Sequence, residues 1–434
     1  MSTTQDLALL GGTPVRTMPY AHHVTTGAEE LKAVQRVLSK GILSDYEGTD
    51  NDKFLGGPEV RALEEEWARE YGVPYAMAVN SATSGLMAAV GATGVGPGDE
   101  VIVSPFTMSA SVAAVLLYNT VPVFADVELD SFNLDPQSVE AAVTPRTKAI
   151  LITHIFGHPA DMGSLVDIAR RHSLTLIEDA AQSPQALYQG QRAGTIGDLG
   201  VYSLNCNKHI QTGEGGIVVC RDPELAKRVR LIRNHAEAVI ASGMEVESLV
   251  NMLGLNVRMT ELEASLARCQ LSKLDGLMEE RHNLVRHLDG IVESIDGISP
   301  PKVQPECTHD YYRYAISLDT AKLGVNAQQV VDALNAEGMD FYVSYMKPLY
   351  LQPIFQKQIV FGDRGCPVRC PWYEGEANYS LGICPSAERL EEFLITTEIV
   401  RPPQTVEDMD EIGEALRKVL ARADQLASGA GSRS

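Results

Sequence analysis

Three short segments carry residue types and spacings that could do chemistry. The first is Asn80-Ser81-Ala82-Thr83-Ser84-Gly85, which follows the apolar run Tyr75–Val79 and opens a helix-like stretch near Thr83. The free N–H groups of a helix start, at the positive end of its dipole, hold anions such as phosphate. Ser81 and Thr83 add hydroxyls there, although Ser or Thr at such a place is equally an ordinary cap. The second is Leu174–Ile177, an apolar run that ends in Glu178 and Asp179. A carboxylate leaving the C-terminal end of a parallel strand lies where such sheets bind ligands. Asp179 could hold a protonated ring nitrogen there, or cap the turn that follows.

The third segment is Ser203-Leu204-Asn205-Cys206-Asn207-Lys208, followed by Gly213-Glu214-Gly215-Gly216. A lysine in a polar turn is as a rule solvated. What changes the reading of Lys208 is the order along the chain: phosphate loop, strand-end acid, then lysine. A Schiff-base lysine needs a carbonyl partner, and pyridoxal phosphate needs a phosphate site and an acidic partner for its pyridinium.

Such residues must be positioned by a sheet. From Val73 to Cys220, β-rich runs alternate with helix-like ones. The predicted strands are Tyr75–Val79, Val101–Ser104, Val121–Val127, Ala149–Thr153, Leu174–Ile177, Leu199–Leu204 and Ile217–Cys220. Helices are predicted over Thr83–Ala92, Pro136–Ala142 and Met162–Arg171. This alternation predicts a mostly parallel α/β sheet with ligands at the strand C-termini. Beyond Cys220 the pattern changes to long helices at Pro223–Asn234 and Arg258–Leu288, a strand at Tyr312–Leu318, a helix at Ala327–Glu337 and an amphipathic final helix at Val406–Leu426. The expected organisation is an N-terminal arm and helix over 1–40, a large domain over 41–255, a connecting helix with a smaller α/β domain over 256–426, and a disordered tail over 427–434.

Composition narrows the function classes. Of 434 residues 44% are hydrophobic and 21% charged, so the chain can bury a large core and is not a disordered or disulfide-scaffold protein. Its net charge of −21, with no basic tract, disfavours nucleic acid and anionic membranes as partners. No signal-like or membrane-spanning run is visible, and a cytoplasmic location is expected. Gly91, Gly94, Gly96 and Gly98 follow a helix and precede a strand, the reverse of a dinucleotide fingerprint, and read as a helix stop and turn. Seven cysteines, including the pair Cys366 and Cys370, lack the ligand spacing of a metal site and read as reduced thiols.

Taken together, the segments FLGGPEVRALEEEWAREYGV, NSATSGL, GPGDEVIVSPFT, PVFADVELDSFNLD, EDAAQS, GDLGVYSLNCNKHIQTGEGG, LGLNVRMTELEAS and CPSAERL, with GGTPVR near the start, resemble the DegT/StrS-type sugar aminotransferases. These are pyridoxal-phosphate enzymes of fold type I, and the likeness runs from about residue 8 to residue 420. It implies that Lys208 is the Schiff-base lysine, that Asp179 pairs with the pyridine nitrogen, and that Gln182 lies near the ring's 3-hydroxyl. It places Ala82, Thr83 and Ser203 around the phosphate, next to the Ser81 hydroxyl already read at the helix start. Asn256 matches an asparagine that reaches the phosphate of a neighbouring subunit, which implies a homodimer with shared active sites.

Two places depart from the family. Met108 stands where an aromatic ring usually stacks on the cofactor, and a thioether can still pack on a π-face. Tyr345, Lys347 and Tyr350 occupy a stretch that often carries a histidine–tyrosine pattern. Tyr345 and Lys347 are the candidate substrate-binding residues, suited to a hydroxylated or anionic acceptor. The implied reaction is transfer of an amino group from glutamate or glutamine to a sugar ketone. A nucleotide-linked ketosugar is the first expectation, with a cyclitol, or a free or phosphorylated ketosugar, as the alternative. Sugar dehydration or a non-catalytic regulator on the same fold are the remaining readings; the presence of Lys208 argues against dehydration.

Overall fold

The structure, a computed structural model, describes residues 6–429. Thirteen strands occur among them: β1 Tyr75–Val79, β2 Glu100–Val103, β3 Val121–Phe124, β4 Thr147–Thr153, β5 Thr175–Asp179, β6 Leu187–Tyr188, β7 Gln191–Arg192, β8 Leu199–Ser203, β9 Gly216–Cys220, β10 Ile298–Ser299, β11 Tyr314–Leu318, β12 Tyr342–Val343 and β13 Leu394–Thr397. Seven form one sheet in the order β1-β9-β8-β5-β4-β2-β3. Only β9 runs against its neighbours; every other pairing in this sheet is parallel. The expected mostly parallel seven-stranded sheet is therefore present. Its strands read as nearly continuous Val, Ile, Leu and Ala because helices cover both faces; in β9 all five residues are buried.

A second sheet, β10-β11-β13-β12, is antiparallel throughout. Helices Ala327–Ala336 and Val406–Leu420 pack on it around Ile316, Phe341, Ile395 and Leu416. One helix, Glu261–Glu293, links the two layers; Thr260 and Glu263 close a capping box that sets its start three residues later than the sequence pattern predicts. The N-terminal arm is held at several points. Leu7 is fully buried in the small sheet's core, Arg16 pairs with Asp408 and Glu411, and Glu30 takes 2.7 and 2.8 Å bonds from Lys273 and Gln270 of the long helix. Phe54 then enters the core of the large sheet.

Three expectations change. The tail is helical through Gly429 in a helix Ala423–Gly429, because Ala423 and Leu426 pack into the small core; residues 430–434 lie outside the described residues. The apolar stretch Ser109–Leu117 is a helix that no periodicity announced, since it has small or apolar residues all round. Cys366 and Cys370 are joined in a disulfide rather than present as thiols, because the turn at Gly365 (φ 81°) brings their Cα atoms to 4.7 Å. Among the described residues no helix is long and apolar enough to cross a membrane.

Candidate active site

The C-terminal ends of β1, β5 and β8 converge on a cavity of about 330 Å3. At the end of β1, Ser81 caps the helix Ala82–Ala92: its Oγ accepts the Ser84 N–H at 3.1 Å, and its carbonyl accepts that of Gly85 at 3.0 Å. The N–H groups of Ala82 and Thr83, both at the cavity wall, are thus left for a ligand. Gly216, at the start of β9, abuts this cradle so closely that a Cβ would lie 2.6 Å from the Ala82 nitrogen. Ser203, at the end of β8, adds a half-buried hydroxyl that accepts the Asn205 N–H at 3.3 Å.

Asp179 closes β5 and is buried. Its Oδ2 accepts from Ser111 Oγ at 2.7 Å and its Oδ1 from the Ala181 N–H at 3.1 Å. Burial pushes its carboxyl above the usual range, against the pull of these two bonds and of the Lys208 charge. The adjacent Glu178 serves the frame beneath the site. It accepts N–H bonds from Gly194, Ile196 and Gly197 at 2.6–2.8 Å and one of 2.8 Å from His154 Nε2. His154 Nδ1 accepts the Ala160 N–H at 3.1 Å, so its ring proton lies on Nε2 and is donated to Glu178. Glu178→Ala orphans four donors, of which those of Gly194 and His154 are fully buried, at about 1–3 kcal/mol for each buried one. A loss of at least ~3 kcal/mol in denaturant unfolding is expected, and a loss below ~1 kcal/mol would remove Glu178 from this frame.

Lys208 sits half-buried in the turn after β8, where its N–H reaches the Asn205 carbonyl at 2.9 Å. Its Nζ lies 4.2 Å from the centroid of the Tyr312 ring. Burial lowers its pKa to about 8, helped by Arg313 and opposed by Asp179 and Glu398. The amine is therefore protonated below about pH 8 and a free nucleophile above it. Uptake of pyridoxal phosphate by cofactor-free protein should therefore quicken as pH rises through about 8 and then level off. The same inflection in Lys208→Arg would assign it to another group.

Of the residues singled out in the sequence, Ser81, Ala82, Thr83, Met108, Asp179, Gln182, Ser203, Lys208 and Tyr345 line this one cavity. Gln182 Oε1 accepts the Phe156 N–H at 2.7 Å, which leaves its amide NH2 to offer a ligand. Met108 is half-exposed at the lip. Asn256 is exposed outside the cavity of its own chain, its Oδ1 accepting from Arg258 Nε at 2.8 Å.

Lys347 does not join the other residues in this cavity. It is exposed and absent from the cavity wall, because Tyr345 and Met346 turn inward and the following residue points out. The cation that does reach the cavity beside Lys208 is Arg313, with Tyr312, Glu214 and Glu398 near it. A larger crevice of about 520 Å3 lies elsewhere, where Arg268 pairs with Glu59 and Glu66 and Arg36 with Glu59.

The residues present fit pyridoxal phosphate: an anion cradle of free N–H groups, a buried carboxylate for the ring nitrogen, and an amine of lowered pKa share one cavity. The sequence profile of the DegT/DnrJ/EryC1/StrS aminotransferase family matches residues 29–390. The chain belongs to that family. It is 33% identical to the L-glutamine:2-deoxy-scyllo-inosose aminotransferase of Streptomyces kanamyceticus over 97% of this chain and 98% of that one. It is 32% identical to the spore coat polysaccharide biosynthesis protein SpsC of Bacillus subtilis (strain 168), over 92% and 96%. Among solved structures, DesI in the presence of its TDP-sugar product superposes with a TM-score of 0.81 at 26% identity, over 98% of this chain and 99% of that one. This member of the DegT/DnrJ/EryC1/StrS family is accordingly an aminotransferase with the fold type I architecture.

Proposed function

We propose that the protein moves the amino group of glutamine or glutamate onto the ketone of a cyclitol. The carrying observation is the charge of the cavity. Among its described lining residues Asp179, Glu214 and Glu398 are acidic, and Lys208 and Arg313 are the only lysine or arginine. A nucleotide diphosphate would bring further negative charge to a wall whose one cation besides Lys208, Arg313, is already paired with Glu398, whereas the hydroxyls of a cyclitol can donate to Glu214 and Glu398. The likeness to the inosose aminotransferase of Streptomyces kanamyceticus supports the same choice.

In this reading Ala82, Thr83, Ser81 and Ser203 hold the phosphate of pyridoxal phosphate, and Gln182 offers its NH2 beside the ring. Asp179 keeps the proton on the ring nitrogen. Lys208 would hold the cofactor covalently, and its free amine would hold and move the proton of the donor's α-carbon. When bound, the cofactor supplies the electron sink for that proton removal. Met108 at the lip and Tyr345 in the wall would lie beside the ring. The three-part division into arm, large domain and small domain at residues 40 and 255 belongs to the same proposal.

Incubating the holoenzyme with glutamine or glutamate and a panel of ketones, read by product mass, tests the choice of acceptor. Amination of a cyclitol ketone is expected. Transfer only to nucleotide-linked ketosugars would overturn it in favour of the other acceptor class. The second subunit is tested by complementation. We propose that Asn256 completes the phosphate site of a neighbouring copy, so a mixture of Lys208→Ala and Asn256→Ala chains should regain activity as they exchange. Activity no greater than the sum of the two parents, with exchange confirmed, argues against sharing.

A further inference from the structure

The cavity has to accept two unlike molecules in turn, an amino acid and a polyhydroxy ketone. Lys208, Asp179 and the Ala82–Thr83 cradle are engaged by the cofactor in the reading above, on which this inference rests. The α-carboxylate of the donor is then left without a receptor among the residues that the sequence pointed to.

Arg313 stands in that gap. It immediately precedes β11, and Glu398 immediately follows β13; the register Tyr314↔Thr397, carried one step further, sets the two side by side at the end of the small sheet. The Arg313 side chain is 14% exposed and the Glu398 side chain 21%. Arg313 Nη2 donates to Glu398 Oε1, and Nη1 reaches Thr396 Oγ1 at 3.3 Å. The guanidinium carbon lies 4.9 Å from the Tyr345 ring centroid and 5.4 Å from that of Tyr342, so two aromatic faces hold the plane.

One prong of this arginine is not used: Nε is buried and has no hydrogen-bond partner. Nε and Nη2 form the side-on edge of the fork that matches a carboxylate with two parallel bonds. Glu398 takes only one of the two, and its other oxygen lies 3.8 Å from Arg401 Nη2, so it has a second cation to fall back on. We infer that Arg313 is the receptor for the α-carboxylate of the amino-acid donor, and that Glu398 occupies it between donors. After the donor's carbon skeleton leaves, Glu398 returns to Arg313 and screens its charge while the uncharged ketone occupies the same space.

The test is the donor half-reaction of the holoenzyme, followed by the change in cofactor absorbance in a single turnover. Glutamine is compared with glutaminamide, which replaces only the α-carboxylate by a neutral amide. The wild-type enzyme should discriminate against glutaminamide by about 50-fold, the range of a charge-assisted bidentate contact. Arg313→Gln should reduce that ratio to within about threefold, Arg313→Lys should restore part of it, and the ketone half-reaction of the aminated enzyme should change far less in both. Glu398→Gln, which removes the competing carboxylate, should bind glutamine several-fold more tightly. Cofactor binding checks folding in each variant. Full discrimination surviving in Arg313→Gln, or a fall in both half-reactions alike, overturns the assignment. A wild-type enzyme that takes no amino group from glutamine or glutamate would sink the functional reading instead.

Discussion

Lys208→Ala should still fold and still retain pyridoxal phosphate, yet transfer amino groups at less than about one ten-thousandth of the wild-type rate. The reason lies in two roles meeting on one atom. In the proposed function the same Nζ would attach the ring covalently and move the proton at the donor carbon, and positioned acid–base groups alone contribute up to about 10⁴-fold. The cradle at Ala82 and Thr83 does not depend on the lysine, so phosphate affinity survives the change. Borohydride treatment of the native protein, followed by peptide mapping, should place the pyridoxyl label on Lys208. A label on another lysine, with the alanine variant still active, would end the assignment.

Asp179→Asn should keep the fold and the bound cofactor while slowing the donor half-reaction by about 10³-fold. An amide is close in size to the carboxylate and can still accept the Ala181 N–H and meet Ser111 Oγ. What it cannot do is hold a proton on the ring nitrogen by charge. Burial raises the Asp179 carboxyl in the cofactor-free cavity, so at low pH it becomes protonated before an exposed aspartate would. Cofactor affinity should therefore weaken as pH falls in the wild type and stay flat through that range in the variant. Near-normal turnover in Asp179→Asn would reduce this residue to a cap of the turn that follows β5.

Much of the large sheet was legible because its strands are buried on both faces and end in turn chemistry. Tyr75–Val79 matches its predicted bounds, while β5 runs two residues past the predicted Ile177 to Asp179 and β8 stops one short of the predicted Leu204 at Ser203. The small domain was less legible. The strand Leu394–Thr397 follows the helix Pro385–Phe393 with no glycine or proline between them, so no local signal separates the two. With β13 unseen, Glu398 had no place in the site. Arg313 was a single cation beside a short tyrosine-rich run, and only the register of β11 on β13 brings it to Glu398 across 85 residues of chain. Lys347 was selected by its neighbours in sequence, and which side of the backbone it takes is set by the packing of Tyr345 and Met346. Positions whose role depends on one strand or one helix start could be read locally, whereas those that depend on two distant strands meeting could not.

The single reversed strand has a consequence for how the protein comes into being. β1 lies at the edge of the large sheet and its one strand neighbour is β9, Tyr75 against Cys220 and Val79 against Gly216, with a single further bridge from Val79 to Arg258. The strand that delivers the anion cradle is therefore made early on the ribosome but finds its one neighbour only when residues 216–220 have emerged. Until then the cradle has no wall opposite it, and the nascent chain has a loop to close at an entropic cost that grows slowly with its length. Addition of the cofactor to synthesising ribosomes should leave the rate of this closure unchanged, since the binding surface is a product of the step rather than a template for it.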